Sequence, residues 1–352
     1  MAVTTKPKEV KVLGNNRESE ASIQELKLLA KNKWKGWTCL VGKNNLIIED
    51  DGDVFGSVCK VGGKIGNIHT GFQLLQSPRI CERSNCHCAD DMKMPKAINS
   101  KELKRLLDLE REATPYTEEE FSITAIAGTE HLTKNPTLNV NWNVGRRCNF
   151  DCSYCPDSVH NATDPYPSLE SLKETVKRLY EQIAPTQKIK FTLTGGEPTL
   201  IPHYLEFLGW IRKQYSGRCI IVTNTNGSKS ADYLCKLLEV SAINLSLHFE
   251  FFKIAPLRER LIKLAEKRIQ LLESGRKRHV RIKMIVPPGG VPKAHLYLRE
   301  IQKVVPDKEA LLFSMEPVID KNNNYETATF GDTEKAALLK MSSSSDQNIG
   351  KI

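Results

Sequence analysis

Residues 141–156 read NWNVGRRCNFDCSYCP and constrain this chain more than any other stretch. They place Cys148, Cys152 and Cys155 at a Cys-x3-Cys-x2-Cys spacing on a loop behind a predicted strand at 138–144. Three thiolates that close in sequence can wrap one metal centre. No fourth cysteine stands nearby, and the next apolar strand, predicted at 188–194, ends in Gly195-Gly196-Glu197-Pro198. A cube of four irons held by three thiolates leaves one iron free for an outside ligand. A structural zinc site is the alternative. Such sites usually complete four ligands with paired Cys-x2-Cys or Cys/His groups, and this loop offers no histidine before His160.

The chain of 352 residues has room for one large domain with a smaller partner, or for two of ordinary size. Its start, MAVTTKPKEV, has no apolar export core, and no apolar run is long enough for a bilayer, so a soluble, cytoplasmic protein with no membrane partner is expected. Of its 10 cysteines, all but Cys219 and Cys235 fall between Cys39 and Cys88 or between Cys148 and Cys155. In a reducing compartment that grouping points to metal ligation rather than disulfides. Cys219 and Cys235, alone in a predicted strand and helix, read as small core residues. The net charge of +9 permits an anionic partner, and the densest basic run, Arg276-Lys277-Arg278-His279 with Arg281 and Lys283, reads either as a solvated turn or as a phosphate contact.

Residues 1–36 are predicted as a loose polar arm up to about residue 20, followed by a helix with Ser22 as cap, Ile23, Leu26, Leu29 and Ala30 at helical spacing, and Gly36 as its stop. Residues 37–95 change to short strands and turns. Two apolar runs flank Asp50-Asp51-Gly52-Asp53, which marks a β-hairpin, and Cys39 and Cys59 stand on either side of it. Cys81, Cys86 and Cys88 follow on the loop CERSNCHC. Five cysteines around one hairpin form a second metal-binding constellation, for which a zinc ribbon completed by His87 is the alternative to iron and sulfide. Residues 96–136 read as a connector with a helix at 100–111. From residue 137 to 320 six apolar strands alternate with five amphipathic helices, which calls for right-handed βαβ units and a parallel sheet. Residues 321–352 read as a flexible tail.

The CxxxCxxC loop and the Gly-Gly-Glu-Pro strand end, in this order and one helix apart, resemble the radical SAM superfamily. That resemblance implies an α/β fold, a partial (β/α)6 barrel, with a [4Fe-4S] cluster on Cys148, Cys152 and Cys155 and S-adenosylmethionine at its open iron. It implies that Gly195 and Gly196 meet the methionine amino group while Glu197 and Pro198 hold the turn, and that Tyr154 lies beside the adenine. The block at 37–95 resembles the twitch or SPASM auxiliary-cluster module, which implies a second iron-sulfur cluster drawn from Cys39, Cys59, Cys81, Cys86 and Cys88. The module precedes the barrel here, whereas relatives carry it afterwards. The order reads as a circular permutation, with the module expected to fold back over the barrel mouth.

Function in parallel barrels collects at the C-terminal ends of the strands. Thr223-Asn224 and Ser246-Leu247-His248 end predicted strands three and four, and alternation puts Ser246 and His248 on one face. Asn224, Ser246 and His248 are therefore candidate contacts for S-adenosylmethionine or substrate, with His248 and Glu316 as catalytic candidates and Met284 as a weaker one. The implied chemistry is reductive cleavage of S-adenosylmethionine to a 5'-deoxyadenosyl radical that abstracts hydrogen from an amino acid-derived or nucleic-acid-linked group, with electrons from a flavodoxin or ferredoxin. Maturation of a peptide by the same chemistry is a second expectation. A zinc-bearing nucleic-acid-binding or scaffold protein with an inactive barrel is the reading from another class.

Overall fold

The computed structural model describes residues 10–14, 17–108, 123–128, 131–133, 136–155, 160–305, 311–320, 326–327 and 330–344. The chain divides into two compact units, one built from described residues within 142–176 and 191–352, the other from those within 7–141 and 177–190.

Strands and helices alternate as the apolar pattern predicts: β1 (Leu138–Asn143), α1 (Leu169–Glu181), β2 (Ile189–Thr194), α2 (Tyr204–Gln214), β3 (Cys219–Thr225), α3 (Ala231–Val240), β4 (Ala242–His248), α4 (Ile254–Glu273), β5 (Val280–Val286), α5 (Val291–Val304) and β6 (Leu312–Pro317). Spatial order follows chain order, β6-β5-β4-β3-β2-β1, and β3 to β6 pair in parallel. This is an α/β fold with the sheet of a partial barrel. Helix starts are sealed by the residues that favour them: Ser168 Oγ accepts from the Ser171 amide at 3.1 Å, and Ser230 Oγ from the Tyr233 amide at 3.3 Å.

Alternation along β4 sends Ile243, Leu245 and Leu247 into the core and leaves Asn244, Ser246 and His248 half-buried on the other face. Registered neighbours extend that polar face: Ser246 pairs with Lys283 and Lys283 with Ser314, while His248 pairs with Ile285 and Ile285 with Glu316. Met284 lies in register with Leu247 and Met315 on the opposite face and is fully buried. The candidate Met284 is thus a core side chain. Cys219 is buried, and Cys235 is half-buried with its sulfur 3.6 Å from the Lys263 carbonyl. A further helix, α6 (Asp332–Ser344), stands in the segment read as a tail; it buries Leu338, and its Glu334 accepts from the Gly289 amide at 2.9 Å. The polar composition around it had hidden one short apolar stretch.

In the other unit, strands Arg17–Ala21, Val10–Gly14, Ile123–Gly128, Lys96–Ala97, Thr38–Cys39 and Arg79–Ile80 lie side by side in that order. The first two form an antiparallel hairpin where the sequence predicts a loose end. Val10, Val12 and Leu13 are buried, whereas the partner reads RESEA, an edge strand whose charges mask it in the sequence. Residues 96–136, read as a connector, place Lys96–Ala97 and Ile123–Gly128 in the middle of this sheet. The helix at Ser100–Leu107 is capped by Asn99, and the predicted continuation to residue 111 lies outside the described residues. The first helix spans Ile23–Leu28 and stops before Gly36, with Ala30 at φ 51°. The Asp-Gly hairpin forms as expected: Asn45–Ile48 pairs antiparallel with Asp53–Phe55 across Gly52, whose φ of 84° suits glycine. No described helix is long and apolar enough to cross a membrane.

Candidate functional site

The cysteine loop leaves β1 and is fixed to the end of β2 through its backbone. Gly196 donates its amide to the Gly145 carbonyl at 2.9 Å and Glu197 to the Arg147 carbonyl at 2.8 Å. A Cβ on Gly195 would stand 2.2 Å from the Gly145 oxygen, and one on Gly196 would stand 2.3 Å from the Arg146 oxygen and 2.4 Å from that of Arg147. The glycine pair is therefore demanded by the loop itself, a reason separate from any ligand contact. The other side of the loop is tied down by Asn161, whose amide donates to Arg146 and whose carbonyl accepts from Cys148 at 3.0 Å. Arg146 pairs with Asp164 at 2.7 Å, and Arg147 stacks over Tyr166.

Glu197 is buried, and its carboxylate accepts from four donors: the Thr199 amide and hydroxyl, the Thr225 hydroxyl at 2.7 Å and the Asn226 amide at 2.6 Å. Burial pushes its pKa up, and those donors oppose the shift. Pro198 opens the short 3-10 turn Pro198–Leu200. The Glu197 carboxylate thus caps this turn and also draws in the end of β3. Asn226, which sequence reasoning missed, then reaches back to the cysteine loop, donating to Asn149 Oδ1 at 2.9 Å and approaching Cys148 Sγ at 4.0 Å. The Phe150 amide points at the same sulfur from 3.4 Å.

Tyr154 and His248 stack with ring centroids 5.8 Å apart and 12° between planes, and the Tyr154 hydroxyl lies 2.7 Å from His248 Nδ1. Cys152 Sγ is 3.5 Å from the same nitrogen. Burial lowers the His248 pKa to about 4 against the opposing pull of Glu250, so the ring is neutral near pH 7 and Nδ1 can accept a hydrogen bond from the Tyr154 hydroxyl. Glu250, a second residue the sequence did not flag, accepts from the Ser153 amide at 2.8 Å and hydroxyl at 2.5 Å, and Phe251 stacks on Phe150 at 4.9 Å. Asn224 accepts from Asn244 Nδ2 at 2.9 Å on the polar face that carries Ser246 and His248.

The three loop cysteines fit an iron-sulfur cluster by the chemistry around them. Burial raises Cys152 to about 12, helped by the Cys155 and Cys148 sulfurs, so the group stays protonated unless a metal's positive charge takes the place of the protons. Amide donors at Cys148 are of the kind that tune cluster sulfurs. Among the described residues no group of three His, Cys, Asp or Glu side chains is placed to hold a single metal ion.

In the N-terminal unit the strand that ends in Cys39 pairs with Arg79–Ile80, just before Cys81, and Cys59 and Cys86 respond electrostatically to Cys81 and Cys39 respectively. Burial raises Cys39 to about 12 and Cys59 to about 11, and each also feels Asp91 and the Cys81 sulfur. Cys86 is raised by burial and by Asp91, Cys59 and Cys39. Cys88 answers instead to burial and to Asp91 and Asp90, at the start of the helix Ala89–Lys93. Asp91 and Lys96, both buried and both missed in the sequence, sit among these sulfurs. The Asp91 carboxylate accepts from the amides of Val58 at 3.1 Å and Cys59 at 2.8 Å and from Asn45 Nδ2 at 2.9 Å.

Arg276, Lys277 and Arg278 precede β5 and so lie at the opposite end of the sheet from the loop that follows β1. Of the basic run, Lys283 carries a charge within the polar face and pairs with Glu316 at 3.4 Å.

Comparison with known proteins agrees with this geometry. The Radical SAM superfamily matches residues 142–296. Over 118 residues the chain is 31% identical to a 7,8-dihydro-6-hydroxymethylpterin dimethyltransferase of Methanocaldococcus jannaschii, covering 33% of this chain and 23% of that protein. Over 104 residues it is 36% identical to a GTP 3',8-cyclase of Pectobacterium atrosepticum, covering 28% of this chain and 31% of that protein. The chain thus matches about a quarter to a third of the length of these relatives. A solved structure of histidine-tagged anSMEcpe with bound AdoMet aligns with a TM-score of 0.36 at 17% identity, over 53% of this chain and 54% of that one. The cysteine loop and the glycine strand end both lie inside the stretch, residues 142–296, that matches the Radical SAM superfamily.

Proposed function

We propose that this chain reductively cleaves S-adenosylmethionine at a [4Fe-4S] cluster and uses the resulting 5'-deoxyadenosyl radical to abstract hydrogen from a substrate. Cys148, Cys152 and Cys155 would hold the cluster. The observation that carries this reading is the docking of the cysteine loop onto Gly195 and Gly196, which fixes three sulfurs at the C-terminal end of β1 and leaves no room for a side chain at either glycine. Tyr154, held by neutral His248, forms an aromatic wall beside the loop for the adenine, and Asn224 and Ser246 line the adjoining face. Glu197 acts from beneath, keeping Asn226 and the turn in place. Electrons would come from a one-electron reductant of the flavodoxin or ferredoxin class.

A second iron-sulfur cluster is proposed on Cys39, Cys59, Cys81 and Cys86. For the substrate, an amino acid-derived group is favoured by the Lys283 and Glu316 pair, since a cation and a carboxylate on one face complement a zwitterion. A nucleotide-linked group is the second reading, supported by relatives named for GTP and a hydroxymethylpterin.

Anaerobic reconstitution tests the proposal. The full chain is expected to bind about eight irons and to form 5'-deoxyadenosine under strong reductant, whereas the variant with Cys148, Cys152 and Cys155 all changed to Ala keeps about four and forms none. Undiminished 5'-deoxyadenosine in that variant would sink the assignment.

A further inference from the structure

Lys96 is 2% exposed, among the largest fully buried side chains of the protein. Its ammonium donates to the backbone carbonyls of Asp91 at 2.5 Å and Met92 at 3.2 Å and lies 4.5 Å from the centre of the Trp34 ring. These contacts satisfy hydrogen bonds and favour a cation, but none of them neutralises its charge. Among the described residues no carboxylate lies within ion-pair distance of it; Asp91 spends its oxygens on Val58, Cys59 and Asn45. Buried charges are almost always paired, because an isolated ion loses far more hydration than backbone carbonyls return. Cys39 stands opposite Lys96 in the antiparallel register of their two strands, and Cys86, Cys39 and Cys59, with Asp91, are the groups whose negative charge would favour the ammonium. Neutral thiols add no counter-charge to that of Asp91, whose carboxylate is shared with three other donors. Four thiolates around a metal core carry net negative charge and do.

We infer that Lys96 is the built-in counter-charge of the N-terminal cysteine centre and holds its reduction potential up. This rests on the second-cluster reading proposed above. One-electron reduction, with the electron supplied by a reductant such as dithionite, adds one negative charge to the centre and breaks no bond. A fixed cation in a medium of low dielectric stabilises that added charge, and cluster potentials are governed by such charges, by hydrogen bonds to sulfur and by solvent exposure. Lys96 touches neither substrate nor iron, so it is a positioning residue in the electrostatic sense: it sets how readily the centre takes an electron. A purely structural role, closing the end of the helix Ala89–Lys93, would leave the potential where it is.

The test uses the full chain with Cys148, Cys152 and Cys155 changed to Ala, so that the N-terminal centre alone reports. This parent is compared with Lys96→Met and Lys96→Arg after anaerobic reconstitution, with iron content and the midpoint potential read by dithionite titration under electron paramagnetic resonance. The parent should hold about four irons; if it binds none, the second-cluster reading itself fails, and that failure is seen before any lysine is changed. With iron in place, Lys96→Met should shift the midpoint to lower potential, and Lys96→Arg should return it toward the parent value. Loss of iron in Lys96→Met with retention in Lys96→Arg also supports the inference, because the anionic centre then needs the charge to assemble. An unchanged midpoint in an iron-loaded Lys96→Met protein overturns it, as does loss of iron from both variants.

Discussion

The Glu197 amide donates to the Arg147 carbonyl at 2.8 Å, immediately before the first residue of the cysteine loop's trio, Cys148, while the Glu197 carboxylate accepts from Asn226 at the end of β3. One residue thus holds the loop with its backbone and the neighbouring strand end with its side chain. The backbone before Cys148 and the Asn226 side chain beside its sulfur are thus placed by a residue that need not touch any ligand.

Replacing Gly196 by Ala should follow from that closeness. The new methyl group would meet two carbonyl oxygens at 2.3 and 2.4 Å, so the loop must move. Overpacking of this kind costs about 1–3 kcal/mol. Iron bound by the loop and 5'-deoxyadenosine formation are expected to fall together, with the N-terminal centre unaffected. Iron analysis and product assay after reconstitution check this.

Glu197→Gln keeps the shape but replaces an oxygen that accepts hydrogen bonds with an amide nitrogen that donates them. At least one of four buried donors is left unpaired, at a cost of about 1–3 kcal/mol. A lower thermal midpoint and reduced iron retention are expected, measured by anaerobic melting and repeated desalting.

Tyr154→Phe retains the ring stack on His248 and removes the 2.7 Å hydroxyl contact. A loss of about 1 kcal/mol in the positioning of that wall corresponds to about fivefold weaker binding of S-adenosylmethionine. Cluster content should not change. Equilibrium binding separates the two readouts.

Because burial depresses the His248 pKa to about 4, the ring is almost wholly neutral from about pH 6 upward. Binding of S-adenosylmethionine should therefore show no inflection near the ordinary histidine value as pH is varied between about 6 and 8. A drop in affinity through that region on acidification, absent in His248→Gln, would count against the neutral assignment.

The loop, the glycine turn and the alternation of β4 were legible because each rests on local spacing. Ser246 and His248 share a face by the period of a strand, and the structure agrees. The same rule could not separate Met284 from the polar face, because that depends on which neighbours it meets in register, Leu247 and Met315. Spacing likewise could not choose between Cys86 and Cys88, two residues apart. Burial and electrostatic surroundings divide them, with Cys86 among the other sulfurs and Cys88 under the aspartates. Asp91 and Lys96 escaped notice because charged residues in the run DDMKMPK read as solvent-facing; the signal was Met92 and Met94 beside them, both fully buried. The polar strand Arg17–Ala21 was hidden for a related reason, since its place in the fold is set by Val10–Gly14 alongside it.

The grip of Asp91 on Val58 and Cys59 also bears on how the N-terminal centre is made. Those bonds, with Asn45 as third donor, link the turn that carries Cys59 to the helix beyond Cys86 through protein atoms alone. Small metal domains that owe their fold to the ion unravel when it is chelated. Here a carboxylate takes over part of that work, so if the proposed second cluster is bound there, stripping it should leave a chain that stays folded and can be refilled, with insertion a late step that follows folding of the polypeptide.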